Sequence, residues 1–338
     1  MSRTDLDSVG GFRVGNVRIP NRAMLAPMSG VTDLPFRRLA MRYGAGLVVS
    51  EMVACELAAA GSEEARLRAE GEGLAVHVVQ LVGRDPAAFS QGVRIAEAAG
   101  AHIVDINMGC PAKRVTNGYA GSALMREPDL ALKIVEATVQ AASVPVTLKM
   151  RLGWDSANLN APDIARRAVD AGIQLVTVHG RTRCQFYKGQ ADWAAIHRVK
   201  EAVPVPVVCN GDLLRPQDAP AMLAASGADA VMIGRAAYGQ PWIVGQTGAL
   251  LGGSQVQASP AGSALCDLIL EHYDMMLSHY GIVMGVRIAR KHLGWYFDRF
   301  ATHAPAALRA AALIGTHPAE VSRLIRAALG ESAEAMAA

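Results

Sequence analysis

The chain has 338 residues, 51% of them hydrophobic and 19% charged, with a formal net charge of +3. This is enough apolar material for one large core and a smaller one, and it excludes a disordered or fibrous protein. So small a net charge does not mark a nucleic-acid partner by itself; where the charges lie carries more meaning than their total.

The first residues, MSRTDLDSVGG, carry acids where a secretory signal needs an apolar stretch, and no uninterrupted apolar run is long enough to span a bilayer. A cytoplasmic protein is the expectation. Phe12 to Ile19 alternates like a short hairpin, placed to close the bottom of a barrel. Eight strand candidates follow: Ala23 to Ala26, Leu47 to Ser50, Val76 to Leu81, Ile103 to Ile106, Val146 to Met150, Leu175 to His179, Val207 to Asn210 and Ala230 to Ile233. Between them lie amphipathic, Ala-rich helix patterns such as Pro86 to Ala99, Asp129 to Ala142, Asp163 to Ala171 and Pro216 to Ala225, several opened by Pro or Asp and closed by Gly. Repeated βα units in this number predict an α/β fold, a (β/α)8 barrel. A doubly wound sheet is the rival, but no strand runs into a GxGxxG turn, and polar residues end almost every strand instead of clustering at one switch point.

After the Gly252-Gly253-Ser254 break the strands cease, and Leu265 to Tyr280, Val283 to Phe300, Pro305 to Leu313 and Pro318 to Leu329 read as helices. The expected organisation is a barrel over residues 1–250, its first 20 residues holding the hairpin, and an all-α helical domain over 251–338, ending in an Ala-rich tail.

Cys55, Cys110, Cys184, Cys209 and Cys266 form no CxxC pair, which argues against a disulfide framework and a zinc site; no metal is expected. Cys110 stands out because it follows a strand directly, in Asp105-Ile-Asn-Met-Gly-Cys-Pro-Ala-Lys-Arg114. A free Cys is often only a small core hydrophobe. Barrel enzymes, however, act from the C-terminal ends of their strands. Those ends supply Ala26-Pro27-Met28, Gln80, Asn107, Lys149 with Arg151, His179, Asn210-Gly211-Asp212 and Gly234-Arg235. Lys149 and His179 close apolar runs, so a buried partner must compensate them, as an anionic planar ligand would. The glycine turns after the seventh and eighth strands fit a phosphate site. A phosphate held there leaves its ring over the barrel mouth, with Lys149 at the electron-rich edge of a flavin and Gln80 and Met28 framing it, which points to FMN.

Reducing a carbon–carbon double bond beside a carbonyl needs a hydride on one carbon and a proton on the other. A thiol near its usual pKa of about 8.5 is mostly protonated at neutral pH and serves as general acid. Lys113 and Arg114 would favour thiolate if they pointed at Cys110, so they are expected to point outward, toward substrate phosphates. A nucleophilic Cys is the competing role, although spacing reveals no Cys-His dyad.

Four motifs in order, Ala26-Pro-Met-Ser-Gly-Val-Thr-Asp33, Asn107-Met-Gly-Cys-Pro111, Val178-His-Gly-Arg-Thr-Arg183 with Tyr187-Lys-Gly-Gln-Ala-Asp-Trp193, and Asn210-Gly-Asp212, resemble those of bacterial tRNA-dihydrouridine synthases. The likeness covers nearly the whole chain, and Arg287-Ile-Ala-Arg-Lys-His-Leu-Gly-Trp-Tyr296 looks most like the B subfamily. The resemblance implies an FMN barrel, reduced by NADPH (or NADH), that delivers hydride to carbon 6 of a uridine in the tRNA D-loop, position 17 by the subfamily likeness. It implies Cys110 as proton donor to carbon 5. Ala26, Pro27, Met28, Gln80, Asn107, Lys149, His179, Asn210, Gly211, Asp212, Gly234 and Arg235 would serve the flavin. Lys113, Arg114, Arg151, Arg181, Arg183, Arg287, Arg290 and Lys291 are the candidate tRNA contacts, in a protein expected to act as a monomer.

From Gly281 to Ala312 five basic residues face one acid, and Arg287, Arg290 and Lys291 share one helical face. A solvated helix explains such runs; beside an FMN site, a face that tracks phosphates becomes the sharper reading. Trp295 and Tyr296 either stack on a nucleotide or anchor the domain. Two rival functions remain open on the sequence: a flavin reductase of a free pyrimidine or small enone, which would not need the basic helices, and a non-catalytic tRNA chaperone.

Overall fold

The computed structural model describes residues 10–330. The residues read for a secretory signal and the Ala-rich tail lie largely or wholly outside them. Ten strands form among the described residues: β1 (Phe12–Val14), β2 (Val17–Ile19), β3 (Ala23–Leu25), β4 (Leu47–Ala54), β5 (Val78–Val82), β6 (Ile103–Met108), β7 (Val146–Arg151), β8 (Val176–His179), β9 (Val207–Asn210) and β10 (Ala230–Ile233). The last eight close a parallel barrel in the order β10-β3-β4-β5-β6-β7-β8-β9. Closure removes every exposed edge of that sheet, and the intervening helices cover the apolar outer face, as in a TIM barrel.

β1 and β2 pair antiparallel across Gly15, whose φ of +56° makes the tight turn. Phe12, Val14 and Ile19 are buried among Leu47, Val78, Ile103 and Ala230, residues that open their strands. The hairpin therefore plugs the N-terminal end of the barrel, and the opposite end, where the strands finish, is left for chemistry.

Five strands differ from expectation by one or two residues at an end, and one by more. β4 continues four residues past Ser50, with a register shift between Val49 and Met52. Polarity makes Ser50 and Glu51 look like a strand exit. Inside the fold the Ser50 hydroxyl donates to the Glu51 carbonyl at 2.7 Å and accepts the Gln80 N–H at 3.0 Å, while the Glu51 carboxylate accepts the Gly30 N–H. Satisfied in this way, both can be buried without ending the strand. The Pro216 pattern also splits, into a 3-10 turn over Pro216–Asp218 and a helix over Ala219–Ser226 that Gly227 ends at φ +63°.

Among the described residues, the chain divides into two compact units. One holds the residues through Ala236 together with Ile243–Val256; the other holds Ala237–Trp242 and the chain from Gln257 onward. The second unit is helical: Gly262–Tyr280, Ile282–Phe300, Ala306–Ile314 and Pro318–Ala328. Gly281 at φ +74° joins its two long helices, and Gly285 lets them approach, since a Cβ there would lie 2.8 Å from the Leu277 Cα. Trp295 stacks on Tyr238, ring centroids 4.0 Å apart, and the Tyr296 hydroxyl lies 3.0 Å from His272 Nδ1, so both aromatics anchor this unit. No helix among the described residues is long and apolar enough to cross a membrane.

Candidate active site

Parallel register decides which strand ends meet. Gln80 pairs with Asp105, Asn107 with Lys149, Arg151 with His179, and His179 with Asn210. The Lys149 ammonium donates to the Asn210 side-chain oxygen at 3.1 Å, and the Asn210 amide donates to the Met232 carbonyl at 2.8 Å. A second chain of bonds runs from β7 to the cysteine loop. Thr147 Oγ1 donates to Asp105 at 2.6 Å, Gln80 Nε2 donates to Asp105 at 2.7 Å, and Asn107 Nδ2 donates to Gln80 Oε1 at 2.7 Å. Asn107 Oδ1 then accepts the backbone N–H groups of Gly109 and Cys110 at 3.1 and 3.0 Å.

These bonds hold Cys110 half-buried at the mouth. Burial pushes its thiol up, against the Ala112 N–H and the positive charges of Arg151, Lys149 and Arg114, so it stays protonated at neutral pH. Lys149 is brought down to about 8 by burial first and by Arg151 second, with Asp105 and Cys110 opposing, and is still mostly cationic at pH 7. His179 is driven well below its ordinary value by burial and then by Lys149, Arg151, Arg181 and Arg235. It is a neutral imidazole, so it needs no anionic counterpart, contrary to expectation.

Cations outnumber carboxylates here. Arg235 lies 3.6 Å from Asp212, which already carries Arg181, and Lys149 rests on an amide oxygen. The turns beside them differ in kind. Gly211 has φ +122°, and a Cβ on it would fall 2.9 Å from the His179 ring and 2.7 Å from Ala191 Cβ, so the fold itself demands glycine. A Cβ on Gly234 would meet nothing nearer than Met28 Sδ at 3.8 Å. That space, next to Arg235 in the chain, is one a phosphate would fill, and the residues present fit a phosphorylated planar cofactor.

A family model described as Dihydrouridine synthase (Dus) matches residues 24–334. The chain belongs to the dihydrouridine synthase family. Among this family member's relatives, a protein of Rhizobium leguminosarum bv. phaseoli named "Probable tRNA-dihydrouridine synthase" is 52% identical over 315 residues, 93% of this chain and 97% of the relative. A "tRNA-dihydrouridine synthase B" of Xanthomonas axonopodis pv. citri is 48% identical over 286 residues, 84% of this chain and 86% of the relative. Among solved structures, histamine dehydrogenase from Rhizobium sp. 4-9 superposes with a TM-score of 0.54 at 13% identity, over 80% of this chain and 51% of that one, a likeness of fold.

The structure places His179 and Asn210 at the ends of their strands, Asn107 and Lys149 one and two residues inside theirs, Gln80 midway along β5, and Ala26, Pro27, Met28, Cys110, Gly211, Asp212, Gly234 and Arg235 in the loops that follow strands. Lys113 and Arg114 lie exposed on the short helix after Cys110, and the Arg114 charge is still felt at the thiol. Three candidate RNA contacts are otherwise engaged. Arg151 is buried, donating to the carbonyls of Gly109, Thr182 and Phe186 at 2.8 to 2.9 Å. Arg181 is buried against Asp212, and Arg290 donates to the Ile314 carbonyl at 3.2 Å. Arg183 is part-buried between the Trp154 and Phe186 rings, while Arg287 and Lys291 are exposed. The reason is steric and electrostatic: long cations beside loop carbonyls brace the loops before they reach solvent.

Sequence reading misses Asp105 and Thr147 as parts of the site, and Tyr187, whose ring lies 4.9 Å from the Arg235 guanidinium and 5.6 Å from that of Arg151. The signal for Asp105 is present in the chain: an acid in the middle of an apolar strand must have donors waiting for it.

Proposed function

We propose that this chain reduces a D-loop uridine of tRNA, at position 17, to 5,6-dihydrouridine in the cytoplasm, as a monomer, with FMN as bound cofactor and NADPH as reductant. The observation that carries the reading is a half-buried Cys110, its loop held by Asn107 and its thiol pushed up by burial, at a mouth with Lys149, His179 and Arg235, in a dihydrouridine synthase family chain.

FMN, when bound, supplies the hydride that adds to carbon 6 of the base. Gly234 and Arg235 would hold its phosphate, with the backbone turn of Asn210, Gly211 and Asp212 beside it, and with Ala26, Pro27, Met28, Gln80, Asn107, Lys149 and His179 around its ring. Lys149, mostly cationic at pH 7, would supply a positive charge that favours a reduced flavin. Cys110 holds its proton on Sγ and gives it to carbon 5. Arg151 steadies the donor from behind, because its bond to the Gly109 carbonyl fixes the residue next to the thiol. Lys113 and Arg114 on the barrel, and Arg287 and Lys291 on the helical unit, are exposed cations suited to tRNA phosphates. The target base has to leave its stack to reach the mouth.

The test mixes anaerobically NADPH-reduced protein with tRNA from cells lacking this enzyme, with orotate and buffer as controls, and follows flavin reoxidation and dihydrouridine by mass spectrometry. Reoxidation by tRNA with product at position 17 is expected. Reoxidation by orotate alone, or a colourless protein, overturns the reading.

A further inference from the structure

We propose that the buried Asp105–Gln80–Asn107 chain is a polarity relay that dictates which end of the Asn107 amide faces the Cys110 loop. Each member is almost fully enclosed: Asp105 is 4% exposed, Gln80 1% and Asn107 7%. An ionised carboxylate only accepts hydrogen bonds, whereas a carboxamide has one accepting and one donating end. Burial pushes the Asp105 carboxyl up, and the bonds from Thr147 and Gln80 together with the Lys149 charge oppose it. In the geometry present Oδ1 accepts from Thr147 and Oδ2 from the Gln80 nitrogen, so Asp105 acts as the acceptor that selects that end of the Gln80 amide. Gln80 must then turn its oxygen toward the nitrogen of Asn107, and Asn107 its oxygen toward the N–H groups of Gly109 and Cys110. Rotating either amide alone would set two donors or two acceptors face to face in a site closed to water. The loop carrying the thiol is thus positioned by a carboxylate on its own strand, acting through a residue of β5. The same ordering fixes which end of the Gln80 amide a ligand at the mouth meets. Asp105 and Gln80 are positioning residues. Their importance for turnover rests on the function proposed above, whereas the relay itself does not.

The logic is reversible, and that makes it testable. Asn107→Asp still accepts from the loop but also demands the nitrogen of Gln80, so two carboxylates compete for one donor. Adding Asp105→Asn removes the conflict. Thr147 then donates to the oxygen of the amide introduced on β6, the nitrogen of that amide donates to the Gln80 oxygen, and the Gln80 nitrogen donates to the carboxylate introduced beside the loop. Every bond is made, with the direction of the two amide links reversed. Two readouts that do not depend on turnover follow the relay: the thermal midpoint and the alkylation rate of Cys110 by iodoacetamide, with exposed Cys184 as internal reference. Asn107→Asp is expected to change the Cys110-to-Cys184 rate ratio by roughly fivefold or more and to lower the midpoint. The double variant is expected to return the ratio to within about twofold of the parent, a coupling that independent sites do not show. If Asn107→Asp fails to fold, a folded double variant with parental alkylation supports the relay equally. Additive damage in the double variant, or an unfolded double variant when Asp105→Asn alone folds, overturns the relay. Absence of dihydrouridine formation by the parent protein, with an intact alkylation rescue in the double variant, would count against the proposed function and leave the relay standing.

Discussion

Arg181 and Asp212 meet through two hydrogen bonds, Nη1 to Oδ1 at 2.9 Å and Nη2 to Oδ2 at 2.6 Å, joining the loop after β8 to the turn after β9. Arg181 also donates to the Lys188 and Gly189 carbonyls, and the Ala191 N–H donates to Asp212. The pair shapes the mouth from within. Burial pushes the Asp212 carboxyl up, but the Arg181 bonds and the Ala191 N–H outweigh it and hold it below the usual range. Asp212→Asn would leave a guanidinium buried without its counter-charge and should lower unfolding free energy by about 3 kcal/mol, read from denaturant titration. The sign with pH follows: a depressed carboxylate pKa adds stability above the unfolded value of about 3.9 that is lost as pH falls toward the folded one. The parent should therefore lose more stability than the variant on acidification below about pH 4.

Cys110→Ala is expected to retain flavin colour and NADPH oxidation while slowing uridine reduction by roughly 10² to 10⁴, about 3–5 kcal/mol of barrier. Single-turnover reoxidation by tRNA measures it, and parental turnover would remove Cys110 from the chemistry.

The two glycine turns should respond differently to alanine. Gly211→Ala introduces a Cβ at φ +122° that clashes with His179 and Ala191, and the thermal midpoint should drop, with a cost of about 1–3 kcal/mol. Gly234→Ala clashes with nothing in the protein, so the midpoint of flavin-free protein should stay put while FMN retention after gel filtration falls. Equal FMN retention in Gly234→Ala would move the phosphate elsewhere.

The helical unit carries an acid sensitivity of its own. Burial brings His272 down to about 3 and drives His292 well below its ordinary value, their rings 4.9 Å apart. A histidine with a lowered folded pKa contributes stability that is present above the unfolded value of about 6.5 and is lost as pH falls toward the folded value. For His272 the loss is about 2 kcal/mol between pH 8 and pH 5. Urea midpoints of the full chain at the two pH values test this, and a flat profile would place a charged partner beside the ring.

Arg287 and Lys291 are exposed four residues apart, whereas Arg290 is tied to the Ile314 carbonyl. Reversing the charge of Arg287 and Lys291 should weaken tRNA binding and reduce the slope of log affinity against log salt by about 2, with the visible spectrum intact. An unchanged slope would put the RNA on another surface.

Much of the fold is legible in one dimension because it follows from local pattern. Val207–Asn210 and Ala230–Ile233 form strands with the bounds their apolar runs imply, and the residues that end them stand at the barrel mouth because parallel βα units leave their C-terminal ends together. The apparent strand end at Ser50 misleads because polarity alone cannot reveal a partner donated from β5. Arg151 and Arg181 read as RNA contacts because a cation at a strand end looks the same in sequence whether it meets phosphate or a neighbouring loop's carbonyls.

Sequence alone determined the barrel, the helical C-terminal region and the family, since periodicity, turn chemistry and motif order are properties of neighbours along the chain. Tertiary structure decided what each residue at the mouth does. Hydrogen-bond direction, burial and charge coupling join Asp105 to Gln80, Lys149 to Asn210 and Arg181 to Asp212 across separations of 25, 61 and 31 residues, and nothing in local pattern encodes which distant group will face which.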